Sequence, residues 1–355
     1  MDFFKTTLFF LLVFTFSIKV NSLIDPLSAV VIGGISLITY LLKTPLYRTA
    51  EKVCEKMGYC EGCEDYWIHE NLIGLEFDLK SQVFGQELAI NIILSILKNH
   101  LSKEEPDRAL VLSFHGSPGT GKTFVTQKIL KNMFIKGESS KYVKFYKGSI
   151  DFRSKDKVDQ YQKDLVQTIQ EKVRQCHRSM FVIDEVEKIP DGILDVISAA
   201  VQIGKTSEYD FRKVIFILLS NAGGTELNKE ALSSYKQGIR REDMNLRRLT
   251  NLIATAAVNE GGLKNSQLVK NFDISYYVPF LPLERSHIVQ CLEHFVVNTK
   301  QQVMSPELTE LVLEDMTFRP EDEQLYSTSG CKGVEESAVI HIEGQLRRKR
   351  GRGPA

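Results

Sequence analysis

From Ala109 to Leu219 the chain alternates short, continuous apolar runs with longer stretches in which apolar residues recur every three or four positions. Ala109 to Phe114, Met180 to Ile183 and Val214 to Leu219 are runs of the first kind, and Tyr142 to Tyr146 is a weaker one. Their length and lack of polar interruption predict strands buried on both faces. Leu88, Ile92, Ile96 and Leu97 recur at helical spacing and predict a helix ending near Leu101. Further helices are expected from Lys122 to Phe134 and from Lys157 to Val173. Strands alternating with helices imply an α/β fold, a parallel sheet flanked by helices. After Pro282 no further strand is expected. Helices over Arg285 to Val297, Ser305 to Met316 and Gly333 to Leu346 predict a small C-terminal helical domain. The expected divisions are a polar, cysteine-bearing linker with a short helix (51–78), an α/β domain (79–284), a helical domain (285–346) and a basic tail (347–355).

The N-terminus follows a different pattern. Lys5 precedes an apolar run from Thr7 to Phe16, followed by Val20-Asn21-Ser22. A short apolar run with small residues before a cleavage point reads as a signal peptide, residues 1–22. It is too short for a membrane span, which takes about 20 apolar residues. Residues 23–50 hold a second apolar stretch, Leu27 to Leu42, uncharged and interrupted by Gly33 and Gly34. It reads as a segment lying on or dipping into one leaflet, with an uncleaved anchor as the alternative. Both readings attach the protein to a membrane surface. The six cysteines, Cys54, Cys60, Cys63, Cys176, Cys291 and Cys331, fit disulfides in the oxidising compartment that a signal peptide implies. Spacing alone leaves their pairing open. The 45 basic and 45 acidic side chains balance, so the phosphate-neutralising excess of a nucleic-acid binder is missing. The dense basic run Arg347 to Arg352 reads as a solvated end, a processing site or an anionic-lipid contact.

The strongest chemical signal is Gly116-Ser117-Pro118-Gly119-Thr120-Gly121-Lys122-Thr123, a glycine, four residues, then Gly-Lys-Thr. Its glycines let successive backbone N–H groups face phosphate oxygens, and the helix expected to begin there adds its positive end. This pattern predicts ATP binding, with Lys122 on the β- and γ-phosphates and Thr123 on Mg²⁺. Downstream, the apolar run Met180 to Ile183 ends in Asp184 and Glu185. Beside a phosphate loop, Asp184 is placed to hold the Mg²⁺ ion and Glu185 to polarise the attacking water. A strand ending in a charged turn is the plainer reading, made less apt by the preceding loop. Val214 to Leu219 leads through Ser220 to Asn221, whose amide is expected to orient that water. A turn residue ahead of Ala222-Gly223-Gly224 is the alternative.

Taken together these residues resemble the AAA+ ATPases, and within them the torsins. The torsin-like stretches are Val83-Phe84-Gly85-Gln86, Phe181 to Lys188, Leu219-Ser220-Asn221-Ala222-Gly223, Arg241-Glu242-Asp243, Tyr277 to Glu284 and Gly330-Cys331-Lys332. The resemblance covers Gln82 to Lys332, and its last two stretches separate torsins from the related Clp unfoldases. It implies an AAA+ large domain and a small helical domain. It further implies that Lys332 contacts the γ-phosphate, that Cys331 pairs with Cys291, and that Cys176 bonds an N-terminal cysteine, for which Cys54, Cys60 and Cys63 compete. Clp proteins carry a γ-phosphate arginine shortly before the last strand of the large domain. Here Lys270-Asn271-Phe272-Asp273-Ile274-Ser275 contains none. Torsins take that arginine from a membrane-embedded activator with a luminal domain. Thr123 stands where many torsins carry Asn.

The expected function is therefore that of a torsin-like ATPase of the endoplasmic reticulum lumen and perinuclear space. It would assemble as a homo-oligomer or mixed ring, hydrolyse ATP weakly without its partner, and remodel protein or membrane assemblies. A Clp-like unfolding chaperone and an ATP-switched binding module are the alternatives.

Overall fold

The computed structural model describes residues 60–298 and 304–351, and the side chains up to residue 343. The signal peptide, the segment 23–50, most of the start of the linker and the end of the tail lie outside the described residues. Cys63 onward forms one compact unit, while residues 60–62 belong to an N-terminal unit.

Five parallel strands form the central sheet: β1 (Leu110–His115), β2 (Val143–Lys147), β3 (Met180–Asp184), β4 (Ile215–Ser220) and β5 (Tyr276–Pro279), in the order β2-β3-β4-β1-β5. The continuous apolar runs sort by alternation onto the two faces. Leu110, Leu112 and Phe114 of β1, with Ile215, Ile217 and Leu219 of β4, enter one core. Val111, Phe181, Ile183, Phe216 and Leu218 enter the other. On the first face lie α1 (Leu72–Gln82), α2 (Glu87–Leu101) and α3 (Lys122–Met133), which bury Leu75, Leu79, Ile93, Leu97, Val125 and Ile129. On the second lie α4 (Gly148–Asp151), α5 (Val158–Gln175) and α6 (Asp195–Ile203), the longer two contributing Leu165, Ile169, Val173, Ile197 and Val201. Beyond β4 come α7 (Gly224–Lys236), α8 (Leu246–Ala257) and the short α9 (Gln267–Lys270).

Residues 63–82 share the sheet's core. Ile68, Leu75 and Leu79 are buried in it, and a disulfide joins Cys63 to Cys176, the residue capping the C-terminus of α5. Among the candidates for Cys176, the structure selects Cys63.

The small domain packs α10 (Arg285–Asn298), α11 (Pro306–Asp315) and α12 (Val334–Gly351) around Ile288, Leu292, Phe295, Val312 and Ala338. Ser305 caps α11 by accepting from Leu308 N–H, ahead of a proline in the first turn. The helix α12 runs to Gly351, into the basic tail. One expectation needs correcting. Strands do not stop at Pro282, because β6 (Phe318–Arg319) and β7 (Tyr326–Ser327) form an antiparallel ribbon between α11 and α12. Two-residue strands carry too few positions to show an alternating pattern. Among the described residues no helix is long and apolar enough to cross a membrane.

Candidate functional site

Every strand of the sheet points its C-terminal end at the same edge, where crevices form in open parallel sheets. The chain leaves β1 through Gly116 and enters α3 at Lys122. Gly119 and Gly121 have φ of 76° and 101°, in the left-handed region that side chains other than glycine's rarely occupy. The loop's outer parts are tied down by side chains. Thr120 Oγ1 donates to Ser117 O at 2.8 Å, and Asn228 Nδ2 donates to Ser117 Oγ at 2.9 Å. Buried Gln86 donates to Thr120 O and Leu281 O and accepts from Leu281 N–H, joining the start of α2, the loop and the exit of β5. His115, wholly buried at the end of β1, bonds Ser113 Oγ and Ala222 O, and burial pulls its pKa down to about 4.

Lys122 lies in the hollow of this loop, 7% exposed. Its ammonium donates to Gly116 O at 2.6 Å, Ser117 O at 3.0 Å and Asn221 Oδ1 at 3.0 Å. Among the described residues it forms no ion pair. Burial pulls its pKa down to about 8, against the opposing pull of Glu187 and Asp184. A buried cation held only by neutral oxygens is costly unless an anion joins it. The hollow therefore fits a phosphate.

Across from Lys122, β3 delivers its two carboxylates. Asp184 Oδ2 stands 3.5 Å from Thr123 Oγ1, and burial raises the Asp184 pKa. The pair offers oxygen donors suited to a hard cation such as Mg²⁺. Glu185 adopts a left-handed backbone, φ 56° and ψ 45°, which turns the chain sharply as it leaves the strand. Its carboxylate accepts from Ser149 N–H at 3.2 Å and from Lys188 Nζ at 3.0 Å. Desolvation pushes the Glu185 pKa up, but these two donors outweigh it and hold the group below its ordinary value.

Asn221 leaves β4 with both ends of its amide engaged. Its oxygen accepts from Lys122 and its Nδ2 donates to Glu187 Oε1 at 2.7 Å. Glu187 also accepts from Asn221 N–H at 3.2 Å and from Ser220 Oγ at 3.1 Å. Sequence reasoning missed Glu187 and Gln86. Neither stands at a spacing that betrays its partner, since Glu187 reaches across to the neighbouring strand's end.

The opposite wall comes from the small domain. Cys331 N–H donates to Gly119 O at 3.2 Å. Gly330, at φ 57°, lies so close that a Cβ there would strike Gly119 O, and a Cβ on Gly119 would strike Ser329 O. Two glycines thus let the phosphate loop and the Gly330-Cys331-Lys332 turn meet backbone to backbone. Cys331 is disulfide-bonded to Cys291 of α10, Cα to Cα 6.1 Å. Lys332, exposed, lines the cleft together with Pro118, Gly119, Thr120, Gly121, Lys122 and Thr123. The cleft has a volume of about 540 Å³, and Val83, Phe84, Leu283, Cys291 and His294 give it an apolar end. None of the described residues lining it is an arginine. In the stretch Lys270 to Ser275, Phe272 is exposed and Asp273 is buried against Ser198 Oγ at 2.5 Å.

Of the sequence-derived residues, Pro118 to Thr123, Asp184, Glu185, Asn221, Cys291, Cys331 and Lys332 line one cleft, and Glu187 and Gln86 hold Asn221 and Thr120 from behind it. Comparison with known proteins gives this arrangement its context. The Torsin family model matches residues 57–183, and the Torsin-1A C-terminal domain model matches residues 283–338. A torsin-like protein of Caenorhabditis elegans is 36% identical over 286 residues, covering 79% of this chain and 80% of that protein. A torsin-like protein of Drosophila melanogaster is 32% identical over 325 residues, 90% of this chain and 93% of that one. Torsin-3A of Rattus norvegicus is 34% identical over 287 residues, 80% of this chain and 71% of that one. Among solved structures, the S. cerevisiae Hsp104-ADP complex superposes with a TM-score of 0.55 at 19% identity, covering 80% of this chain. This chain spans 49% of that Hsp104 chain, and at such identity the likeness speaks for the AAA+ fold alone. With relatives matched along most of its length and a phosphate loop at the head of its sheet, the chain belongs to the torsin family of AAA+ ATPases.

Proposed function

We propose that this chain binds ATP in the cleft between its two domains and hydrolyses it efficiently only when a partner supplies an arginine. The observation that carries the reading is the buried Lys122 ammonium, hydrogen-bonded to neutral oxygens alone in a cleft that Asp184, Glu185 and Asn221 also line. Backbone N–H groups from Gly119 to Thr123 and the Lys122 ammonium bind the phosphates. Thr123 and Asp184 would hold a Mg²⁺ ion, which would supply charge neutralisation at the phosphate oxygens. Glu185, kept ionised by Ser149 and Lys188, accepts hydrogen bonding from the attacking water. Asn221, fixed by Glu187, orients that water, and Lys332 closes over the γ-phosphate from the small domain.

The stretch Lys270 to Ser275, which holds no arginine to offer a neighbouring copy, supports the partner requirement. An arginine at the transferred phosphoryl group is worth about 10³–10⁵ in rate in related nucleotide hydrolases. The partner we infer is a membrane-embedded activator with a luminal domain, acting on a homo-oligomer or mixed ring. The signal-like N-terminus and the Cys63–Cys176 and Cys291–Cys331 disulfides support a place in the endoplasmic reticulum lumen and perinuclear space. Attachment to a membrane by Leu27 to Leu42, and remodelling of protein or membrane assemblies there, complete the reading.

ATPase assays with and without a candidate luminal activator test it. Turnover that needs the activator, and that disappears in Glu185→Gln while ATP binding persists, is the expected result. Vigorous turnover by the isolated chain would instead indicate a self-sufficient unfoldase, and none in either assay a nucleotide-switched binding module.

A further inference from the structure

The helix α1 is apolar on two sides. Leu75 and Leu79 face the core, fully buried. Ile73 and Phe77, one turn apart on the outer side, are 85% and 70% exposed. They do not stand alone. Tyr66, 68% exposed, precedes the helix, and its ring meets that of Trp67 edge to face with centroids 5.1 Å apart. Ile135, 52% exposed, is joined to Trp67 by a backbone hydrogen bond of 3.0 Å. Asn71 N–H donates to Asn132 O at 2.9 Å, so the start of α1 runs beside the end of α3. The start of α1 and the end of α3 thus carry Tyr66, Ile135 and the half-buried Trp67, whose ring also packs on the core, while the outer side of α1 carries Ile73 and Phe77, and none of the five lines the nucleotide cleft.

We infer that this face inserts into the headgroup and upper acyl region of a lipid bilayer, as a second membrane contact beside the N-terminal segment. The inference rests on the reading that Leu27 to Leu42 associates with a membrane. The side chains project from a convex helix surface, which a bilayer accepts without the matching hollow that a protein partner must provide. Tyrosine and tryptophan beside aliphatic side chains are the residues that favour the water–lipid boundary. The chain between Leu42 and Cys60 extends at most about 65 Å at 3.3–3.6 Å per residue, so a bilayer that holds Leu27 to Leu42 stays within reach. Such tethering raises the local concentration of lipid and makes a shallow insertion sufficient. The neighbouring charges pair with one another, Glu76 with Lys80 and Asp78 with Lys131, and Lys136 lies over the Trp67 ring at 5.2 Å. The face is therefore suited to zwitterionic lipid, and its insertion should respond little to salt.

Trp67 is the single tryptophan of the chain and reports on this face directly. The full chain is reconstituted with phosphatidylcholine vesicles brominated in the upper acyl region, then followed by flotation and by tryptophan fluorescence. Flotation with strong quenching of Trp67 is expected. Ile73→Glu/Phe77→Glu should still float and still bind ATP, yet lose most of the quenching. A wild-type chain that floats with Trp67 unquenched, or a double variant quenched as fully as wild type, overturns the inference. Failure of the wild-type chain to float removes the membrane reading itself, and this inference with it. Unquenched Trp67 combined with self-association in detergent that the double variant abolishes would assign the face to a second copy of the chain, which also overturns it.

Discussion

The two walls of the cleft are built on opposite plans. In the large-domain wall Lys122, Asn221, Glu187 and Glu185 are each held by hydrogen bonds to neighbours in the same domain. The small-domain wall presents an exposed Lys332 on a turn that meets the phosphate loop through Cys331 N–H and the contact of Gly119 with Gly330. Chemistry that depends on geometry belongs to the first wall. The second is suited to sensing, because a few contacts can be made or broken at modest cost.

The sharpest way to separate the walls is Lys122→Ala. It removes a charged hydrogen-bond donor worth about 1.5–3 kcal/mol, so calorimetry should show ATP affinity weakened by roughly 10–150-fold. Unchanged binding would mean that the first wall is not the phosphate site. Next comes Glu187→Gln, which keeps the shape of the side chain and weakens its hold on Asn221. Activator-stimulated kcat should fall roughly tenfold with ATP affinity nearly constant, since orientation of the reacting water is lost rather than grip. An equal loss of affinity would place Glu187 in binding instead.

Gly330→Ala acts on the second wall. The left-handed backbone costs alanine about 1 kcal/mol, and the new methyl group meets Gly119. Affinity for ATP should drop by a few-fold while the melting of the large domain stays in place. The smallest effect is one of pH. With a pKa near 8 in the free protein, Lys122 is charged below that value and loses its proton as pH rises through it. ATP affinity should therefore be flat below pH 8 and decline above it, by at most tenfold per unit. The unliganded fold should move the other way and gain stability from pH 8 upward, because the unfolded chain then holds the proton that the buried amine has released. Lys122→Arg should flatten the affinity profile. A profile shared by both proteins would assign the titration to another group.

Most of the first wall was legible in the sequence, Glu187 and Gln86 excepted, and the second only in outline. Strand runs such as Ile215 to Ser220 and the glycine spacing around Lys122 are local patterns, and local patterns survive in one dimension. The Gly119–Gly330 contact joins positions far apart in the chain, and nothing at either glycine names the other. The pairing of Cys291 with Cys331 came from family resemblance, and spacing left it open. The segment 51–78 read as polar because charged residues interleave with Ile73, Leu75 and Phe77. The fold assigns alternate members of that set to core and surface. The ribbon of Phe318–Arg319 and Tyr326–Ser327 was too short to show a period at all.

The bond between Cys63 and Cys176 has a consequence for how the chain is made. Its halves are 113 residues apart, so Cys63 is synthesised long before its partner. Cys54 and Cys60 lie close to it in the chain, so a short loop through Cys63 can close before Cys176 is made. From such a pairing the Cys63–Cys176 bond is reached by thiol exchange once α5 has emerged. Production in an oxidising setting without an isomerase should yield a fraction of chains whose N-terminal segment is tied to the wrong sulfur, whereas a reducing host should leave these thiols unpaired.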